Sequence, residues 1–276
     1  MVAGWKYYNN ALIPDCAPHE SPDVSQICSP EFWECKSGTP LFARWTDEFE
    51  SEEYKDFWYC ICKSPFTVDN LPAKARKHIR QAMKKCTVER IDIEKNIEAL
   101  YKVFIEACEN YKQFKGNTQY EQFKNRCLGD AYAGNQYWVG KNDEGLIIGY
   151  LIVKENKDYA ETVTAKFWPE YLHLRVSDAL YATILDEYLN NRNKRYISFG
   201  TRTLSHITNT QVYKEKTFGC EKAYVRLNIE YNPKIRPVIK ILYIFKGFLK
   251  LFDKIEIVHK INAVLKMEEI VRKQKG

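Results

Sequence analysis

The chain has 276 residues, of which 45% are apolar and 28% are charged, and its formal net charge is +6 at pH 7. This length and composition are those of a soluble globular protein with one large domain or two small ones. No apolar run approaches the length of a membrane span, and residues 1–10 lack the basic-then-apolar order of a signal peptide, so a cytoplasmic location is the default expectation.

The nine cysteines are scattered along the chain and are expected to be reduced residues, mostly in the core. Cys16, His19, Cys28 and Cys35 lie close enough in sequence for a zinc knot. Their spacing matches no common zinc finger, and four prolines within residues 14–30 indicate an irregular strap. The sequence therefore predicts no metal site.

Residues 1–70 are predicted to form an extension rich in strands and loops that packs on the core. A hairpin is expected around Asn9 and Asn10, and aromatic residues favour strands over 41–45 and 56–63. The pattern then becomes helical over 69–85, where Asn70 is expected to cap the helix.

Residues 71–232 are predicted to form one α+β domain in which strands and amphipathic helices follow each other closely. Helix 93–111 has its apolar residues on one face, and the strands pair through short turns. The predicted strands are 87–92, 136–140, 146–153, 159–167, 196–200 and 223–230, and the further helices are 119–128, 176–189 and 208–217.

Residues 168–177 read Trp-Pro-Glu-Tyr-Leu-His-Leu-Arg-Val-Ser and stand at the mouth of the predicted helix 176–189. This motif, in this order of elements, resembles the core of the GNAT acyltransferases. The resemblance implies a central mixed, mostly antiparallel sheet flanked by helices. It also implies an acyl-CoA co-substrate, because free N–H groups at such a helix N-terminus cradle a pyrophosphate.

The residues that would form the cradle depart from the family pattern at three positions. Leu172 stands where the family has Gln or Arg, Arg175 replaces the first glycine, and Ser177 replaces the last small residue. Arg175 adds a cation that suits a phosphate, but its side chain also fills space. By resemblance, the cofactor-binding candidates are Trp168, Leu172, His173, Leu174, Arg175, Val176 and Ser177.

A second pair of segments resembles the Fem-type, peptidyltransferase-like branch of that superfamily. Gly200 ends a short strand, and Phe218 and Gly219 follow Tyr213 and Lys214. Fem-type enzymes take aminoacyl groups from aminoacyl-tRNA and move them onto cell-wall precursors. The basic helix 74–85 fits a tRNA contact, although solvated charge explains this helix more simply.

Acyl transfer to an amine needs a base, an oxyanion donor and an acid for the leaving group. By resemblance, Glu161 is the candidate base and Tyr213 the candidate acid, and His206 is a further catalytic candidate. Each has a simpler alternative: an exposed charge at a strand end, a packed tyrosine, and an exposed loop histidine. Thr201 and Arg202 are candidate substrate-binding residues, since a guanidinium suits a phosphate or carboxylate.

The basic character of the chain lies in residues 233–276. Residues 234–276 contain eleven Lys/Arg and four Asp/Glu, whereas the preceding 233 residues contain 31 and 32, which argues against a DNA-binding body. Apolar residues recur at helical spacing from Val238, with lysines between them, and a second helix is predicted over 257–272. These helices either lie on an anionic membrane or pack on the domain with their lysines solvated.

The sequence therefore predicts a cytoplasmic GNAT-fold N-acyltransferase, peripheral at the inner membrane face if the tail binds lipid. The donor is acyl-CoA or aminoacyl-tRNA. The acceptor is a small-molecule or glycan amine, such as a cell-envelope polysaccharide or a lipid-linked precursor. The departures in the cradle leave a second hypothesis: a non-catalytic GNAT-like module that binds a membrane surface or a partner.

Overall fold

A computed structural model describes residues 3–35, 38–110, 116–204 and 209–275. The chain forms two compact units, and both are discontinuous in sequence. The first consists of Met1–Tyr59, Thr201–Thr208 and Lys222–Gly276, and the second of Cys60–Gly200 and Asn209–Glu221. The division into residues 1–70, 71–232 and 233–276 stays a prediction.

The strands and helices follow the order expected from the sequence. The strands are β1 (Trp5–Tyr8), β2 (Ala11–Pro14), β3 (Phe42–Asp47), β4 (Trp58–Lys63), β5 (Thr87–Ile91), β6 (Gln136–Lys141), β7 (Ile147–Glu155), β8 (Tyr159–Phe167), β9 (Tyr196–Thr201), β10 (Glu221–Tyr224) and β11 (Arg226–Tyr231). The helices are α1 (Ala73–Lys85), α2 (Ile97–Glu109), α3 (Tyr120–Tyr132), α4 (Val176–Leu185), α5 (Thr210–Phe218), α6 (Arg236–Ile244), α7 (Lys246–Lys250) and α8 (Glu256–Lys273).

A seven-stranded sheet has the order β10-β4-β9-β8-β7-β6-β5. Its strands β5 to β8 lie wholly within the second unit. Strands β5 to β8 pair antiparallel, and β8 pairs parallel with β9. The predicted α+β architecture, a mixed and mostly antiparallel sheet with flanking helices, is confirmed.

Both faces of this sheet are covered by helices. Side chains alternate between the two faces along each strand, so neighbouring residues join different core clusters. Tyr137 and Val139 of β6 join a core cluster with α2 and α3, whereas Trp138 joins another with α1 and α4. Strand β7 is buried from Ile147 to Val153, and its side chains divide between the same two clusters. Such a strand reads as a continuous apolar run, as this sequence does.

The first unit contains a four-stranded sheet with the order β1-β2-β3-β11. The predicted hairpin is confirmed: β1 and β2 pair antiparallel across Asn9 and Asn10, whose φ angles of 48° and 62° match a two-residue hairpin turn. Helix α8 buries Leu265, Met267, Ile270 and Val271 in a cluster with residues of β11.

Local polar contacts shift several predicted boundaries. Helix α2 begins at Ile97 rather than at residue 93, because the carboxylate of Asp92 accepts from the N–H of Glu94 and forms a turn. Asn70 lies in a short 3-10 turn, and Pro72 occupies the cap position of α1, so the expected Asn70 cap is wrong. Helix α4 is followed by a π-helical stretch, Asp186–Asn191.

Candidate active site

Strands β8 and β9 separate partway along their length. Their parallel pairing covers three positions only, and the last joins Glu161 to Ser198. Strand β8 continues to Phe167 and remains paired with β7 to its end. Beyond Glu161, the edge of β8 that faced β9 is therefore released from the β9 ladder, with the hydroxyl of Thr162 3.5 Å from the Ser198 carbonyl oxygen. We call this opening the strand fork.

A β-bulge lies directly beside the strand fork. The pairing of β7 with β8 passes from Val153 opposite Thr162 to Ile152 opposite Thr164, so Val163 is an extra residue. Its side chain is exposed. A bulge leaves its extra residue outside the ladder and redirects the neighbouring groups, and bulges are common beside active sites.

Two glycines position the N-terminus of α4 against the sheet. Gly140 of β6 and Gly149 of β7 are cross-strand partners, and both face Val176, the first residue of α4. A Cβ atom at Gly140 would overlap the Val176 side chain, and one at Gly149 would lie 2.8 Å from Phe167 Cδ1 and 3.3 Å from Val176 Cγ2. The glycine pair thus creates the space into which Val176 fits.

Arg175, the residue that caps the N-terminus of α4, has a left-handed backbone conformation, with φ 62° and ψ 36°. Its carbonyl oxygen accepts from the N–H groups of Asp178 and Ala179, at 2.9 and 3.3 Å. Its guanidinium lies 3.5 Å from the carboxylate of Asp178, which is only 3% exposed. The first turn of α4 therefore already contains a buried anion paired with a cation.

Tyr213 of α5 completes this cluster. Its hydroxyl donates to the Asp178 carboxylate and lies 3.3 Å from Ser177 Oγ. Burial, reinforced by the negative charge of Asp178, raises the pKa of Tyr213 far above its usual value. Tyr213 therefore keeps its proton at neutral pH. Arg175, Ser177, Asp178 and Tyr213 form what we call the α4 cluster.

Lys214, the next residue of α5, is buried. Its Nζ lies 4.5 Å from the ring centroid of Phe199 and 5.1 Å from that of Tyr181. Burial lowers the pKa of Lys214. Neither Lys214 nor Asp178 was predicted as part of a site. The only sequence signal for Asp178 is its position three residues after Arg175, where the two side chains share a helix face.

The structure brings some of the predicted residues together and separates others. Arg175, Ser177 and Tyr213 meet in the α4 cluster, and Glu161 lies at the strand fork with 34% of its side chain exposed and Lys154 at 3.8 Å. Thr201 and Arg202 belong to the other unit, where the Arg202 guanidinium donates to the carbonyl oxygen of Asp56. His206 lies outside the described residues.

The remaining cofactor candidates surround the turn before α4. Val176 is fully buried, and the N–H of Trp168 donates to the Ile148 carbonyl oxygen at 2.9 Å. His173 Nδ1 lies 2.9 Å from the Glu170 carbonyl oxygen. Leu172 is exposed, and Leu174 is half-buried against the cluster that contains α4.

The described residues contain no group of histidine, cysteine and acidic side chains arranged to hold a metal ion. Across the same residues, no helix combines the length and apolarity that crossing a bilayer requires.

Comparison with known proteins gives likenesses in structure alone. No family model matches the sequence, and no curated protein matches it. Among solved structures, the C-terminal domain of a putative lysylphosphatidylglycerol synthetase from Agrobacterium fabrum superposes with a TM-score of 0.56 at 12% identity, over 87% of this chain and 84% of that one. For L-PGS from Bacillus licheniformis the TM-score is 0.53 at 14% identity, over 86% and 83%.

FemX superposes with a TM-score of 0.52 at 11% identity, over 69% of this chain. The match spans 65% of FemX, so this chain covers slightly less than two thirds of that protein. These likenesses show the fold alone, and that fold is the GNAT-like one expected from the sequence. Over the part of the chain that superposes, it resembles the fold of FemX.

Proposed function

We propose that this protein is an acyltransferase that moves an acyl or aminoacyl group from an activated donor to an amine. The observation that carries the proposal is the strand fork, where Glu161 stands at the last pair of β8 and β9 and Val163 forms a bulge two residues further along β8. An opening between two strands gives an extended donor a path to a carboxylate and to backbone N–H groups.

The strand fork offers the groups that the reaction needs. Glu161 is the proposed base that takes a proton from the attacking amine. The backbone N–H groups at the Val163 bulge are the proposed donors to the oxyanion, since a bulge frees them from the ladder. Tyr213 carries a proton at neutral pH and is the proposed acid for the leaving group. To act, its hydroxyl must exchange the bond to Asp178 for one to the donor.

The first turn of α4 does not fit the pyrophosphate of coenzyme A. The Asp178 carboxylate occupies this turn, and the backbone N–H of Asp178 already donates to the Arg175 carbonyl oxygen. A pyrophosphate placed there would meet a fixed negative charge and the Arg175 side chain. Of the two predicted donors, acyl-CoA and aminoacyl-tRNA, we therefore favour the aminoacyl ester.

Helix α1 supplies a surface that suits such a donor. Arg76, Lys77, Arg80 and Lys84 line one shallow cavity of about 450 Å³, together with Ala73 and Gln81. Helix α1 packs against α4. The pKa of His78 in α1 is lowered first by burial and then by the charge of Arg175. Four cations on one helix face suit the phosphates of an RNA strand.

The proposed acceptor is an amine on a cell-envelope polysaccharide or a lipid-linked precursor, modified at the inner face of the membrane. One structural neighbour is named as a putative lysylphosphatidylglycerol synthetase and another as L-PGS, and lysylphosphatidylglycerol is an aminoacylated lipid. Those names support an aminoacyl donor and an acceptor at a lipid surface.

One observation favours a second candidate function, a GNAT-like module without catalysis. The α4 cluster is closed on itself: Arg175, Tyr213 and Asp178 satisfy each other with no ligand required. A closed cluster is also what remains when a donor site has been lost.

Donor binding distinguishes these proposals. We expect aminoacyl-tRNA to be retained by the protein in filter binding, and Arg76→Glu/Arg80→Glu to weaken that retention strongly. We expect acetyl-CoA, longer acyl-CoAs and free coenzyme A to leave the thermal unfolding of the protein unchanged. A ligand present at about 100 times its Kd would stabilise the native state by about 2.7 kcal/mol, which such a scan detects.

Two results would contradict the donor assignment. Stabilisation by coenzyme A would reassign the donor to acyl-CoA and show that the α4 cluster can open. Retention of neither donor class would overturn the enzyme proposal in favour of the non-catalytic module.

A further inference from the structure

The segment that contains α6, α7 and the turn after them exposes an unusual number of apolar side chains. Of the seventeen large apolar side chains that are exposed in the described residues, nine fall within residues 238–257. This concentration sets the segment apart from the single exposed apolar residues found elsewhere on protein surfaces. The nine are Val238, Ile241, Ile244, Phe245, Phe248, Leu251, Phe252, Ile255 and Ile257.

The exposed residues follow a helical stripe. Six of them, at positions 238, 241, 245, 248, 252 and 255, are separated alternately by three and four residues, which is the helical period. Positions 238 and 241 lie in α6 and position 248 in α7, whereas 245 lies between these helices and 252 and 255 lie in the turn after α7. We call these six residues the outer stripe. The inner side of the same segment is occupied separately: Ile239 is buried, and Leu242, Tyr243 and Leu249 pack against the core cluster of the first unit. The outer stripe is therefore not needed for the packing of α6 and α7.

The charges around the outer stripe are mostly positive. Residues 234–260 contain seven lysines and arginines against two acidic residues. Lys240, Lys250 and Lys254 are exposed and have no ion pair within the described part of the chain. The carboxylate of Asp253 contacts two residues of α8: it accepts from the Asn262 side chain at 2.7 Å and lies 2.9 Å from His259 Nδ1.

We propose that the outer stripe of residues 238–255 docks on an anionic lipid bilayer, with the lysines at the level of the headgroups. Apolar side chains at helical spacing flanked by lysines suit the boundary between headgroups and acyl chains. Anionic lipid supplies the complementary charge. A second copy of this chain would instead bring two sets of uncompensated cations together, which opposes self-association.

The test is sedimentation of the full chain with lipid vesicles. We expect binding to vesicles of phosphatidylcholine with about one third phosphatidylglycerol, and little binding to phosphatidylcholine alone. Raising the salt concentration from about 0.05 M to about 0.5 M should weaken binding, because exposed charges are screened. Phe245→Ser/Phe248→Ser/Phe252→Ser should abolish binding without unfolding, since all three side chains are exposed.

A charge-matched pair of variants separates local from overall charge. Lys250→Glu/Lys254→Glu should lower the partition coefficient at least roughly 25-fold, because each lysine near the surface contributes about fivefold. Lys102→Glu/Lys157→Glu makes the same change in net charge at exposed residues far from the tail in sequence, and should leave binding nearly unchanged.

Three results would overturn the proposal: no binding to anionic vesicles, equal losses in the two lysine pairs, or binding that survives the triple serine variant. A dimer that the triple serine variant dissociates would identify a second copy as the occupant and would also overturn it. Thermal unfolding of each variant confirms that the loss is not one of folding.

Discussion

Asp178 is the residue on which the candidate site is organised. A carboxylate that is only 3% exposed must have compensating partners, because removing a charge from water is costly. Tyr213 donates to it from a residue 35 positions further along the chain, and Arg175 pairs with it from the preceding turn. The three side chains therefore fix the N-terminus of α4 relative to α5.

Removing the Tyr213 hydroxyl should destabilise the fold as well as the site. Tyr213→Phe leaves the buried Asp178 carboxylate short of a donor, and we expect a loss of about 1–3 kcal/mol in the free energy of unfolding, measured with urea. The control Tyr132→Phe changes a fully exposed tyrosine and should have no effect. In the double variant with Asp178→Asn, the two losses should not add. Strict additivity would show that the pair does not interact.

Lys214 should make stability depend on pH. The pKa of Lys214 is lowered by burial in the native state, so between that lowered pKa and its ordinary value of 10.5 the unfolded chain binds more protons. Stability contributed by this group therefore rises with pH in that range. In Lys214→Met the rise should be absent, so the difference in unfolding free energy between native protein and variant should change with pH. Lys216→Met, at an exposed position of the same helix, is the control, and its free energy of unfolding should depend on pH as that of the native protein does. The same pH dependence in Lys214→Met and native protein would contradict the prediction.

Part of the α4 cluster could be singled out from the sequence for physical reasons. Arg175, Ser177 and Tyr213 were singled out because the motifs at a helix mouth and before a Phe-Gly turn consist of residues close together in sequence. Asp178 and Lys214 were missed because the burial of a charge depends on what packs over it. No local pattern distinguishes the buried Lys214 from the exposed Lys216 two residues later.

At the scale of elements, the cross-strand pair Gly140 and Gly149 determines how closely α4 approaches the sheet. Gly140→Ala should force Val176 out of its position and cost about 1–3 kcal/mol, because adding a methyl group to a filled core shifts its neighbours. Gly129→Ala is the matched control, since a Cβ in that helical position meets no atom within 4 Å and should stabilise α3 by up to about 1 kcal/mol. Equal stability of both variants, measured by thermal unfolding, would contradict the close approach.

Elements with strong periodicity were predicted closely, and those that depend on distant contacts were not. Strand β8 has the predicted bounds, 159–167, whereas the predicted strand 223–230 is divided into β10 and β11. The division occurs at Val225, whose N–H donates to the carbonyl oxygen of Phe57, 168 positions earlier in the chain. The strand fork is similar: sequence predicts β8 and β9 but not where their pairing stops.

At the scale of the whole molecule, charge and apolar surface are distributed unevenly. Residues 1–233 are nearly neutral in net charge, whereas residues 234–276 have seven more basic than acidic residues. The same tail contains the outer stripe of exposed apolar residues. Composition alone could not decide whether these helices pack or face outward. The structure separates α8, which buries Leu265, Met267, Ile270 and Val271, from α6 and α7, which bury only Ile239 and expose the outer stripe.

The central claim is that the strand fork is where acyl transfer occurs. The most direct measurement is the transfer of a labelled amino acid from aminoacyl-tRNA to an amino-sugar acceptor by native protein, Glu161→Gln and Glu89→Gln. Both glutamates lie on strands of the seven-stranded sheet and contact a lysine, but Glu89 is on the outermost strand, β5. We predict that Glu161→Gln lowers the rate at least about 100-fold, as loss of a general base does, and that Glu89→Gln leaves it unchanged. Equal rates in all three proteins would contradict the claim.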